Sequence, residues 1–573
     1  MFHDRLEYEF FLQLGLDTFS SCHNDLEDSM ELITLSKYSL FKLGWLSAIA
    51  LLFPIVAQAA EVDGSATQAS AGGLQAIDWI IIATYALSTL FLGWWFSRKQ
   101  KDTNEYFVGS GNMNPLLIGV SLFATLLSTI SYMGIPGEAL GKGPVYMTNM
   151  LSYPFIFLVI GYVLLPIYMR VKVTSAYELL EEKLGLSIRL LGASLFIVLR
   201  LFWMTLLVYL TAKALAIMIG IDEKYIPWIV VITAAFAITY TSLGGLRAVV
   251  ITDLMQTILL YGGSLLVIGT ITVKMGGFGW FPTEWQADIW DSQPIFSLDP
   301  STRVTVVGSI LSVFVWHCST AGGDQVSIQR FMATKNAKAA RKAIGMQLCV
   351  AGTVTVTLGI TGFALLGYFQ ADPQLLPVGM TLSENADKIF PHFIAFHLPP
   401  VVSGLVLAGL FAAAMSSIDS GVNSITAVVM SDFLDRFGSK PGSQTKQVIF
   451  ARGLALGIGV IVVLCSTLME HVPGNITAVT TKTVNLLTVP IFVLFFFALF
   501  VPFANTPGVW IGVTCSITAA VLIAFSGLIF GMNEQGLDPV SFQWISPVAL
   551  VVGISAGSLA CKIFSKNKIG HPT

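Results

Sequence analysis

The 573-residue chain is poor in charge. Only 11% of its residues are Asp, Glu, Lys or Arg, while 54% are hydrophobic. Soluble domains carry roughly a quarter charged residues, so a deficit sustained along the whole chain excludes one large soluble core and points to a multi-pass membrane protein. The net charge of -3 gives no basis for nucleic-acid binding. Cysteine is equally uninformative. The six residues, Cys22, Cys318, Cys349, Cys465, Cys515 and Cys561, form no CxxC pair and no Cys/His cluster, so neither a disulfide framework nor a zinc site is expected. HExxH and GxGD patterns are also missing, and the chain is not expected to be an enzyme.

Long apolar runs are what the chain does have. From Asp78 onward, stretches of about 20 apolar residues recur at the length that crosses a bilayer. They fall near 78–97, 115–138, 148–169, 190–219, 226–241, 248–274, 303–321, 345–369, 399–430, 448–468, 477–502, 507–531 and 542–562, about thirteen in all. The loops "SRKQKD", "RVKV", "QRFMATKNAKAARK" and "DRFGSKPGSQTKQ" and the tail "CKIFSKNK" are basic, whereas "PTEWQADIWD" and "LSENADKIF" are acidic. Positive loops stay in the cytoplasm. The expectation is therefore a plasma (inner) membrane protein with its first span entering from outside and a cytoplasmic C-terminus.

Ahead of the spans, Met30 opens a stretch with Lys37 and Lys42, an apolar segment from Leu43 to Val56, and Ala57-Gln58-Ala59. That order is the pattern of a secretory signal peptide. An uncleaved anchor helix is the alternative. The division expected is a polar extension with signal peptide at 1–59, a linker at 60–77 and an extra helix at 78–98. Five-helix segments follow at 115–274 and 303–502, then two further helices at 507–563 and a tail at 564–573.

One span carries an unusual load. Residues 413–425 read "AAMSSIDSGVNSI". On a helix Ala413, Ser416, Ser417 and Ser420 share a face, at i, i+3, i+4 and i+7. Packing glue explains the serines, but it does not explain Asp419, which costs about 2.5–3.5 kcal/mol to place mid-span on insertion scales. A hard monovalent cation held by hydroxyl and carbonyl oxygens explains them together. Two other spans look weak as helices, "FATLLSTISYMGIPG" (123–137) and the run into "HCSTAGGDQ" (317–325). They stand five spans apart. Paired broken helices in corresponding halves mark the midplane site of an inverted-repeat transporter.

Four stretches resemble the sodium:solute symporter family in that family's order: "NEYFVGSGNMNPLLIGVSLFAT", "VTSAYELLEEKLG", "GGLRAVVITDLMQ" and "SSIDSGVNSITAVVMSDF". The resemblance runs from about Asp78 to Phe500. It implies an all-α LeuT-type fold of two inverted five-helix repeats with flanking helices, and import of a small polar solute by sodium-coupled symport. It also implies a sodium site formed by the carbonyls of Ala124, Leu127 and Ala413 with the hydroxyls of Ser416 and Ser417, and a second one at Asp253, Ser416, Asp419 and Ser420. Around the solute it implies Ser128, Ser131, His317 and Lys482. Ser131, His317 and Lys482 replace the amides of the family's sugar carriers. Arg200, in "LFIVLRLFWMTLL", is read either as the partner of Asp253, Asp419 or Asp324, or as the counter-charge of a substrate carboxylate. Asp324-Gln325 and Gln329-Arg330 are read as structural ties at the inner end of the sixth core helix. An organic anion is the expected solute. A glucose-type sugar is the alternative, and a sodium-dependent sensor is a rival of another class.

Overall fold

The computed structural model describes residues 74–566, apart from 99–102, 172, 291, 293, 439–441, 470–475 and 534–535. The expected signal peptide and the extension before it lie outside the described residues, as does the tail beyond 566. Every regular element among the described residues is helical. In chain order these are α1 (Ala76–Ser97), α2 (Thr103–Val108), α3 (Pro115–Leu126), α4 (Thr129–Lys142), the irregular span α5 (Pro144–Tyr168), α6 (Glu178–Leu184), α7 (Leu186–Ile219) and α8 (Ile226–Lys274). Then come α9 (Val306–Gly323), α10 (Gln325–Met332), α11 (Ala337–Ala371), α12 (Ala386–Phe396), α13 (Val402–Val428), α14 (Gln444–Ser466), α15 (Ile476–Phe500), α16 (Thr506–Ala524), α17 (Ser526–Phe530) and α18 (Ile545–Lys566).

Eleven of the helical stretches are long and apolar enough to cross a bilayer, and α3 with α4 make a twelfth, bent by 70°. One stretch is too long to be a single crossing. The 49 residues of α8 would reach about 74 Å as a straight helix, far beyond a hydrocarbon core of about 30 Å. Gly245 breaks it, at φ 58°, ψ -169°, a backbone region that is essentially open to glycine alone. The two halves of α8 thus count as two crossings, and thirteen result among the described residues, as the apolar runs predict. An odd number sets the start of α1 and the end of α18 on opposite faces, here called the N-face and the C-face.

The crossings fall into two sets of five. The first comprises α3 with α4, α5, α7 and the halves of α8. The second comprises α9 with α10, α11, α13, α14 and α15. The first set begins at the C-face and the second at the N-face, so the two are inverted. Each opens on a broken helix. Apolar side chains such as Trp79, Leu87, Phe91 and Trp95 of α1 face outward, as a surface in contact with lipid requires, while α13 is almost wholly buried at the centre.

Two polar devices fix the frame. At the N-face, buried Asp78 accepts through Oδ1 from Val401 N, Ser403 Oγ and Gly404 N, each at 2.9 Å. This ties α1 to the start of α13. Val401 is the one non-glycine residue with positive φ among those described. At the C-face the loop after α5 is sewn down. Ser175 donates to Asp432, and Arg189 bridges Asp432 (2.7 Å) and Glu181 (2.7 Å). Arg436 and Arg189 hold the Glu181 carboxyl below its ordinary range.

The kink yields a direct test. Gly245→Ala should destabilise the folded protein by about 1–3 kcal/mol, the cost of a side chain in that backbone region, and should lower the thermal midpoint in detergent. A midpoint equal to wild type would show that α8 relaxes without strain.

Candidate functional site

The first broken helix stops for a local reason. "LLSTIS" offers hydroxyls that compete with helical hydrogen bonding, and Leu127 and Ser128 adopt extended conformations (ψ 119° and 169°). Ser128 caps α4, accepting from Ser131 N at 3.4 Å. The end of α3 leaves carbonyls without intrahelical partners. Phe123 O still takes Leu127 N at 2.9 Å. The next two carbonyls are met by α13: Ser416 Oγ donates to Ala124 O at 2.8 Å, and Ser417 Oγ to Thr125 O at 3.4 Å. Ser416 Oγ also lies 3.2 Å from Ala413 O.

Of the five oxygens expected around sodium, those of Ala124, Ala413 and Ser416 meet at one place, and Ser417 Oγ pairs with the next carbonyl, Thr125 O. Leu127, the fifth, sits at the break itself. The donor set is neutral oxygen throughout, which fits a small hard monovalent cation.

One to two turns toward the C-face lies a buried ionic cluster. Tyr240 donates to Asp419, and Ser420 Oγ lies 3.1 Å from Asp419 Oδ1 and 2.9 Å from Thr125 Oγ1. Ser121 Oγ donates to Asp253 Oδ2 at 2.5 Å. The cation here is Arg330, fully buried, with Nε 2.8 Å from Ser121 Oγ and Nη2 at 2.5 Å from Ser420 Oγ and 3.4 Å from Asp253 Oδ2. The sequence reading gave Arg330 only the task of holding a helix end. Its contacts place it among the carboxylates instead. Ser416, expected to serve both ion sites, turns toward Ala124.

The second broken helix mirrors the first. α9 ends in Gly322-Gly323, packed so tightly on α15 that a Cβ on Gly323 would lie 3.1 Å from the Phe492 backbone. Tyr168 donates to Gly322 O, and Tyr177 to Gly323 O at 3.2 Å. Asp324 caps α10 through Val326 N at 2.9 Å. Its other oxygen receives Arg200 Nη2 in a buried ion pair. Of the three partners open to Arg200, the structure selects Asp324. Gln325 is held as the sequence led us to expect of a structural tie, between Ala176 N and Thr174 O at 2.7 Å each.

Between the breaks and α15 lies a cavity of about 220 Å³. Ser131, Arg200 and His317 line it, together with aromatic rings and the amides of Asn149, Gln347 and Asn485. Arg200 and Asp324 are its only full charges among the described residues. Arg200 Nε is buried without a hydrogen-bond partner, as is Thr320 Oγ1, also in the lining. His317 Nδ1 lies 3.1 Å from Val313 O. The carbonyl holds the hydrogen on Nδ1 and leaves Nε2 as an acceptor. Ser128 and Lys482 do not line the cavity. Lys482 is held 2.5 Å from Asp538, which corrects its expected place beside the solute, and Ser128 acts as a cap. At the N-face end Arg303 grips Glu138 with two bonds of 2.7 Å.

Residues 106–515 match the model of the sodium:solute symporter family. The sodium/sialic acid symporter SiaT of Proteus mirabilis is 28% identical over 498 residues, covering 86% of this chain and 96% of its own. The sodium/glucose cotransporter of Vibrio parahaemolyticus is 26% identical over 497 residues, covering 82% and 90%. The structure of a substrate-bound, outward-open Na+-coupled sialic acid symporter superposes with a TM-score of 0.75 at 27% identity, over 85% of this chain and 98% of that one. The chain thus belongs to the sodium:solute symporter family, as a LeuT-fold, sodium-coupled symporter and not an enzyme.

Proposed function

We propose that this chain imports a small organic anion bearing a carboxylate, and that Arg200 is the counter-charge in the cavity. The observation that carries the reading is the buried, unpartnered Nε of Arg200 in the cavity lining. A guanidinium offers five donors in a fixed fork suited to a carboxylate, and Asp324 engages only one of its nitrogens. Thr320 Oγ1 and His317 Nε2 add a hydroxyl and an acceptor for the solute's polar groups. The sialic acid carriers among its relatives favour the same class. The N-face is the outer one in this reading, because the basic loops of the sequence then lie inside.

Sodium enters at Ala124, Leu127, Ala413, Ser416 and Ser417, with Thr125 O added. A cation there draws the end of α3 onto α13 and so fixes the break that shapes one wall of the cavity. Ion and solute each raise the other's affinity through that shared wall, as linkage requires. A second sodium belongs at Asp253, Asp419 and Ser420, for a coupling of two sodium ions per solute.

A neutral sugar is the second reading. It is favoured by the Arg200–Asp324 pair, which already balances the cavity's charge. Uptake into proteoliposomes separates the two, with N-acetylneuraminate, monocarboxylates and glucose each offered in sodium and in potassium. Sodium-dependent uptake of an acid, with Arg200→Gln lowering it by about tenfold or more, is the expected outcome. Uptake of glucose that is indifferent to Arg200→Gln establishes the second reading.

Two predictions address the ions. Ser416→Ala combined with Ser417→Ala should abolish sodium-driven uptake while the protein stays folded in the membrane. Unchanged sodium dependence in this double variant removes the assignment. Uptake by the wild type should rise sigmoidally with sodium concentration, and Asp419→Ala should turn that curve hyperbolic. A reversal potential matching one sodium per solute excludes the second site.

A further inference from the structure

Ser420 Oγ has no capacity left. A hydroxyl makes one donated and two accepted hydrogen bonds. Ser420 lies 3.1 Å from Asp419 Oδ1, 2.9 Å from Thr125 Oγ1 and 2.5 Å from Arg330 Nη2. The same guanidinium nitrogen lies 3.4 Å from Asp253 Oδ2, whose only hydroxyl donor, Ser121, is itself engaged by Arg330 Nε at 2.8 Å. Asp253 Oδ1 is buried without a partner, but a cation bound by both Ser420 Oγ and Asp253 Oδ2 meets the place that Arg330 Nη2 fills.

We propose that Arg330 is a tethered cation that competes with sodium for the position between Asp253, Asp419 and Ser420, so that sodium enters there only as α10 draws the guanidinium away. The proposal rests on the reading of those three residues as the second ion site. The exchange keeps the local charge constant, one positive charge against two carboxylates in either state. The exchange therefore adds no net charge to the buried cluster.

The lever for the exchange is visible. Arg330 sits on α10, an eight-residue helix whose first residue follows the break at Asp324. Asp324 caps that helix through Val326 N and is gripped at its other oxygen by Arg200, in the cavity wall. A solute that draws Arg200 away from Asp324 loosens one end of α10. The other end carries the guanidinium that blocks the ion. Arg330 becomes a positioning residue for coupling, and α10 the rigid link between solute and sodium.

The test needs no solute. Sodium is titrated against the purified wild type with potassium holding the ionic strength, and both the thermal midpoint and 22Na+ binding are followed. Removing a competing charge at 3.4 Å should lower the half-saturating sodium concentration of Arg330→Gln by about tenfold or more. Adding Asp419→Asn to that variant should cancel the gain. A folded Arg330→Gln with unchanged or weaker sodium binding overturns the proposal. A gain that survives Asp419→Asn instead overturns the second-site reading itself. Should Arg330→Gln not fold, Ser121→Ala serves: it removes the anchor of Arg330 Nε and should lower half-saturating sodium by about threefold. No change in that variant also overturns the proposal.

Discussion

Backbone groups stranded inside a bilayer are the constraint on which this structure depends. A helix that stops midway leaves carbonyls and amides with no water to satisfy them. Both broken helices solve the problem alike. The carbonyls at the first end are met by hydroxyls, from Ser416 and Ser417 for α3 and from Tyr168 and Tyr177 for α9. The helix that follows is opened by a side-chain cap, Ser128 for α4 and Asp324 for α10. The ion chemistry grows out of this bookkeeping, since oxygens gathered to satisfy one another can also gather around a cation.

The frame was largely legible in the sequence because it rests on periodicity and length. Apolar runs gave the crossings, and Ser, Thr and Gly marked both breaks. The shared face of Ala413, Ser416, Ser417 and Ser420 followed from helical spacing alone. Arg330 was not legible. It lies in "QRFMATKNAKAARK", whose later basic residues include the exposed Lys335, Lys338 and Lys342, and only tertiary packing separates the buried arginine from the solvated lysines. Lys482 failed for another reason. Its placement came from the family resemblance, which carries no information about Asp538, the residue that reaches it from the segment before α18. The partner of Arg200 was narrowed to three aspartates, and sequence cannot choose among residues that the fold alone brings near.

Buried charge among the described residues is organised into small paired groups. Arg200 with Asp324, Arg330 with Asp253 and Asp419, and Arg303 with Glu138 each join elements far apart in the chain. In a low-dielectric interior such pairs add little net stability over apolar packing, yet breaking one is costly. They act chiefly as statements about which elements belong together. Arg189, Asp432 and Glu181 bind α6 and α7 to the segment that follows α13, whereas Arg200 grips the cap of α10 and Arg330 ties α10 itself to α8.

The α1 helix lies outside both five-helix sets, yet Asp78 holds the N-face end of α13 through three bonds. One of them restrains Val401 at φ 74°, a conformation that a branched residue keeps only under duress. From Ser403 to Ser416 is about 20 Å along the helix axis. The depth at which the Ser416 and Ser417 hydroxyls sit is thus surveyed from a benchmark on an accessory helix. α1 works as a datum for the transport core, and a chain shorn of it would lose the reference that sets α13 in register.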